Sequence, residues 1–242
     1  MLKPLIFLTS SGLLGSALDA GGATPSGLPP LEGFEPLPFP ETLRLTSVAD
    51  GYALMLFTIG PGGEVDDAVA IEASHPAFVD AVKDGLAKWR FAASASKTTP
   101  RRELIHFDFR RTGMVASLSH RDASKSFFPH PGESLPAIRT VEWEALAQQP
   151  QRTVAVMPAY PQALLADSAT RAQGGFAVVN CIIDATGAVR VPVVTEASDA
   201  RFGEEALKAV RQWRFAAPTQ DGQPVNVRLT RTFNFGGRHL PK

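Results

Sequence analysis

Cysteine is almost missing: Cys181 is the single one in 242 residues, so no intrachain disulfide is open to the chain. It lies inside the apolar run FAVVNCII, where a thiol serves as a small core side chain, and the fold must be held by packing. An excess of charge is missing too. Lys plus Arg number 24 and Asp plus Glu 24, intermixed, so no basic stripe of the kind that nucleic acid or anionic lipid requires is present. The five histidines, His75, His106, His120, His130 and His239, lack metal-ligand spacing and read as surface residues. No phosphate loop, cysteine cluster or nucleophile elbow occurs. The stretch GPGGEVDD, 60–67, has neither the Lys-Ser/Thr of a phosphate loop nor the alternating ligands of a calcium loop. The expectation is a chain with no catalytic site, metal or cofactor, and no nucleic-acid partner.

Long hydrophobic runs are also absent. The most apolar stretch, Leu5 to Leu18, is broken by Ser10 and Ser11 and falls short of the ~20 residues a spanning helix needs. With Lys3 before it and Ala20, Gly21 and Ala23 after it, this stretch reads as a secretory signal peptide, 1–23, cleaved between Gly21 and Pro25. Its alternatives are an uncleaved membrane anchor and a soluble N-terminus. A Pro-rich lead-in, 24–35, follows.

What the chain does have is an internal echo. KWRFAAS, 88–94, returns as QWRFAAP, 212–218, with Trp89 and Trp213 separated by 124 positions (213 − 89). At that offset, and without a gap, Gly51 meets Gly175, Gly63 meets Gly187, Phe78 meets Phe202, Pro100 meets Pro224 and Phe109 meets Phe233. Glu72-Ala73-Ser74 likewise meets Glu196-Ala197-Ser198. Coincidence at glycines, aromatics and branched residues means that turns and core positions coincide, so two copies of one small fold are expected.

The second copy opens with Tyr160-Pro161, then QALLADSATRAQG, in which Leu165, Ala169 and Ala172 allow a short helix ended by Gly174-Gly175. The β-branched run FAVVNCIID stops at DATG and resumes as AVRVPVVTEAS, a hairpin whose Pro192 marks an edge or a bulge. Asp199 is placed to cap a helix with Phe202, Ala206, Val210 and Trp213 on one stripe, matched by Phe78, Val82, Leu86 and Trp89. Arg214 and Arg90 then complement the helix C-terminus, or alternatively meet a partner. In the last strand Val225, Val227, Leu229, Arg231, Phe233 and Phe235 alternate with Asn226, Arg228, Thr230, Thr232 and Asn234. One polar face implies helices on one side of the sheet and water on the other. The fold class expected is α+β: two tandem small domains, each an antiparallel sheet of about three strands with helices packed on one face.

In order, PAYP, GGFAVVNCIIDATGAVRVPVVTEAS, FGEEALKAVRQWRF and GQPVNVRLTRTFNF resemble the C-terminal domain of TonB-type energy transducers over residues 158 to 235. The first copy is a weaker match. Phe39-Pro40 stands in for Tyr-Pro, the following segment is three residues shorter, and Gly60 replaces Asp184. The organisation expected is a first, divergent domain at 36–110, a linker at 111–150 that includes VEWEALAQQ as a helical turn or two, and a second domain at 151–242.

The resemblance implies binding without chemistry in the periplasm. The partner is a short extended segment of an outer-membrane receptor, added as a strand to the sheet edge with the final strand as platform. The positions carried over as partner-facing are Tyr160, Pro161, Arg214, Asn226, Arg228, Thr230 and Thr232. Two alternatives accompany it. One is a complete energy transducer, anchored in the inner membrane by an uncleaved leader and contacting inner-membrane energising proteins. The other is a structural envelope component that pairs with itself through its sheet edges as a homodimer.

Overall fold

The computed structural model describes residues 30–33, 35, 37–93, 100–111, 117–120, 137–165 and 174–236. The leader lies outside the described residues, as do 166–173, where most of the helix expected after Tyr160 falls. Two compact units divide between Arg139 and Thr140.

In the first unit the strands are β1 (Leu31–Gly33), β2 (Asp50–Ile59), β3 (Val65–Ala73), β4 (Arg90–Phe91), β5 (Arg101–Arg110) and β6 (Ser117–His120), with helix α1 (Pro76–Leu86) between β3 and β4. The main sheet runs β3-β2-β5-β6, antiparallel throughout. The GPGGEVDD stretch supplies the β2–β3 turn, closed by bonds from Gly60 N to Glu64 O and Gly63 N to Gly60 O. Pro76 starts α1, where a missing N–H costs nothing, and the His75 ring Nδ1 accepts from Ala77 N at 3.1 Å. Phe78, Val82, Leu86 and Trp89 pack against Met55, Phe57, Ile105 and Phe107 of the sheet.

The single polar face does not hold in this unit. Leu54, Leu56, Val69, Ile71 and Leu104, on the face turned from α1, are all buried. Because β2 is central and both its faces are covered, YALMLF reads as a continuous apolar run instead of an alternating one.

The second unit contains β7 (Thr140–Glu142), β8 (Arg152–Val154), β9 (Gly175–Ile183), β10 (Val189–Ala197), helix α2 (Ala200–Val210), β11 (Arg214–Phe215), β12 (Thr219–Gln220), β13 (Gln223–Pro224) and β14 (Asn226–Phe235). Its main sheet runs β10-β9-β14-β7. The β9–β10 hairpin turns on DATG: the Asp184 carboxylate accepts from Thr186 N at 2.9 Å and Ala188 N at 3.0 Å, and Gly187 takes φ +87°. Pro192 sits as expected in an edge strand, within a bulge between Arg190 and Val193 where Val191 is held at φ 47°. Asp199 caps α2 by accepting from Arg201 N at 2.9 Å. Phe202, Ala206, Val210 and Trp213 form the helix side of a core that includes the buried Cys181.

The α+β class is thus observed, with a fourth strand on each main sheet. Those extra strands, β6 and β7, lie inside the stretch expected as a linker, and VEWEALAQQ contributes part of β7 and one 3-10 turn, Trp143–Ala145. Strands of three or four residues join by main-chain bonds, which leave no side-chain periodicity to read.

Candidate functional site

The last strand of the second unit occupies an inner place in its sheet. On one side β14 pairs antiparallel with β9 from Val227 opposite Ile183 to Phe235 opposite Gly175. On the other, β7 covers only the start, pairing in parallel: Thr140 with Asn226, Val141 with Val227, Glu142 with Arg228. From Leu229 to Phe235 no strand flanks that side among the described residues. The opposite sheet edge, β10, is a poor template for pairing because its bulges and Pro192 interrupt the row of donors.

An open groove of about 360 Å³ borders the uncovered part of β14. Leu229, Thr230 and Arg231 form its floor, with Trp143, Arg152 and Trp213 around it. The Trp143 ring meets Phe215 edge-on at 5.9 Å, and the Arg152 guanidinium lies 4.4 Å from the Trp213 ring centroid, stacked as a cation on a π face. Arg152 is positioned by β8, whose residues pair with β11 at Arg214 and Phe215. The groove offers apolar walls, two guanidinium groups and a row of main-chain positions.

The residues carried over from the sequence divide between edge and scaffold. Arg228, Thr230 and Thr232 lie on β14 along the face turned from α2, with Arg228 ion-paired to Glu142 at 3.7 Å and Thr230 Oγ1 accepting from Asn180 Nδ2 at 3.0 Å. Asn226 is buried instead of outward; its side-chain oxygen accepts from Ala185 N at 2.9 Å and supports the β9–β10 turn. Arg214 is exposed but turned back on the helix end, donating to the carbonyls of Trp213 at 2.7 Å and Arg211 at 3.2 Å. Tyr160 packs edge-on against Phe202 at 5.5 Å, and Pro161 is buried. Sequence reasoning missed Trp143 and Arg152; the only signal was an aromatic and a cation in a stretch without period.

Asp199, at the α2 N-terminus, has its carboxyl held down to about 2 by hydrogen bonds from the Arg201 side chain and backbone. This is a helix cap, away from the groove. Among the described residues no cluster of three metal-ligating side chains occurs, and no helix is long and apolar enough to cross a membrane.

The family comparison bears on the second unit. No curated protein matches the chain. A solution NMR structure of the Pseudomonas aeruginosa TonB C-terminal domain is similar at 23% identity, over 38% of this chain and 90% of that one, with a TM-score of 0.30. Residues 156–236 match the family described as Gram-negative bacterial TonB protein C-terminal, and this segment of the chain is a TonB C-terminal domain.

Proposed function

We propose that the second unit is a periplasmic binding module that captures an extended segment of an outer-membrane transporter, or another envelope partner, as an added strand on the edge of β14, in support of transport. The family match supports this reading, because the family is one of protein-interaction domains in energy-coupled transport. The observation that carries the reading is the uncovered edge from Leu229 to Phe235, bordered by a groove that side chains of a bound segment can enter. Main-chain groups give such a site its affinity, while Arg228, Thr230 and Thr232 on one face and Arg152 and Arg231 in the groove select among segments. Tyr160, Pro161, Asn226 and Arg214 act one step back, by holding the lead-in, the turn and the helix end against this strand.

The first unit is a divergent relative of the second that does not share this role. The three long strands and the helix correspond in order, β2-β3-α1-β5 to β9-β10-α2-β14, but β6 lies antiparallel on β5 from Ile105 to Asp108, on the edge that corresponds to the platform.

The test is titration of the full chain with synthetic peptides from periplasm-facing segments of outer-membrane transporters, followed by backbone NMR. Saturable shifts centred on Leu229–Phe235, with a change in tryptophan fluorescence from the groove, are expected. Shifts confined to the first unit, or silence with every such peptide, would remove the reading.

A further inference from the structure

The part of the β14 edge that is covered indicates what the edge accepts. β7 has three residues, joins from a distant part of the chain, and runs parallel to β14. Parallel pairing is the less stable kind per residue, so three residues gain little from their main-chain bonds alone and two side-chain contacts add to them. Val141, opposite Val227, packs against the core of the unit, and the Glu142 carboxylate lies 3.7 Å from the Arg228 guanidinium. Arg228 is mostly buried, its side chain 17% exposed, while Glu142 is half exposed at 51%. A mostly buried cation beside the edge favours a carboxylate there over any other side chain.

We propose that Thr140–Glu142 is a resident occupant of the partner edge, and that a captured segment takes its place: an extended segment running parallel to β14, with an apolar side chain opposite Val227 and a carboxylate opposite Arg228. This rests on the strand-capture reading and adds to it a built-in competitor from this chain's own sequence. Capture that begins at Asn226 uses the whole strand, whereas the uncovered edge starts only at Leu229. The resident strand therefore lowers the apparent affinity in proportion to the fraction of time it is docked.

The chain itself supplies the probe: a fluorescent peptide with the sequence of residues 138–145, IRTVEWEA. Three full-length proteins are compared, the intact chain, Val141→Pro and Glu142→Arg. Proline removes a donor and the fit of the resident strand, and arginine sets like charges opposite each other at Arg228. The expected result is weak binding by the intact chain, binding about tenfold tighter by Val141→Pro, and an intermediate gain for Glu142→Arg. Adding Arg228→Glu to Val141→Pro should lose that gain and recover it with a peptide carrying Arg in place of Glu142.

Equal binding by all three proteins, or no binding by a Glu142→Arg protein with unchanged circular dichroism, would overturn the proposal even if Val141→Pro fails to fold. The transporter peptides test the other reading separately. Self-peptide capture by the variants, alongside silence of every transporter peptide, would keep the resident strand and its edge while removing the transporter as partner.

Discussion

The indole N–H of Trp213 donates to the backbone carbonyl of Val156 at 2.7 Å, so the last anchor of α2 is also the clamp on the segment leading into the unit. Trp89 makes the corresponding bond to Glu35 at 3.0 Å. Tyr160 on Phe202 and Phe39 on Phe78 repeat the match, edge-on at 5.5 and 5.6 Å. The lead-in contacts recur at an offset of 121 positions (156 − 35 and 160 − 39), three fewer than between the tryptophans, which is the shortening visible in the first copy.

Both tryptophans are fully buried, and truncation leaves a cavity and an unpaired carbonyl. Trp213→Ala and Trp89→Ala should each cost about 3–5 kcal/mol in denaturant unfolding. Trp213→Phe should cost less, since much of the packing remains and the hydrogen bond alone is worth about 1 kcal/mol. Unchanged melting of either alanine variant would show that the tryptophan does not anchor its helix.

A second prediction concerns the hairpin turns. Gly63 and Gly187 both have φ +87°, and a Cβ at either would stand 1.9 Å from Phe91 O or 2.0 Å from Phe215 O. Backbone strain and collision with another backbone act together, and no flexible side chain can yield. Gly187→Ala and Gly63→Ala should each destabilise by at least about 1–3 kcal/mol. Thermal unfolding checks this; an alanine variant that melts with the parent would show that the turn relaxes freely.

These turns belong to the part of the fold that was legible from residues alone. Offset glycines and the stripe of Phe202, Ala206, Val210 and Trp213 mark features that depend on side chains, so the sequence carries them. The edge of β14 is different. Thr140–Glu142 docks through main-chain bonds to residues more than eighty positions away, and a three-residue strand has no period. Asn226 misled because alternation predicts which face a side chain leaves from and says nothing of a turn backbone waiting beside it. Trp143 and Arg152 acquire meaning only when the chain brings them beside Leu229.

Acid should weaken the cap of α2. The Asp199 carboxyl is lowered from 3.8 to about 2 by bonds from Arg201, so the folded state favours the ionised form. The sign follows from linkage: its contribution is present above about pH 4 and is lost as the pH falls toward 2. Asn caps helices about as well but does not titrate. Melting temperatures at pH 7, 4, 3 and 2 should therefore fall less steeply for Asp199→Asn than for the parent. Identical acid limbs would mean that this carboxylate is not coupled to folding.

The last prediction separates the two sides of β14. Along Leu229 to Phe235, alternate residues direct their main-chain groups to β9, and those between direct theirs to the uncovered edge. Proline at a β9-facing donor removes a bond from the middle of the sheet and should unfold the unit. Proline at an edge-facing donor should leave the unit folded while removing a bond that an added strand needs. A proline scan from Leu229 to Phe235 should thus fall into two alternating classes by circular dichroism, with peptide capture lost in the folded class. Single side-chain changes such as Thr232→Ala should weaken capture only modestly, because the added strand is held mainly through its backbone. Full capture by every folded proline variant would place the site elsewhere and leave β14 a structural strand.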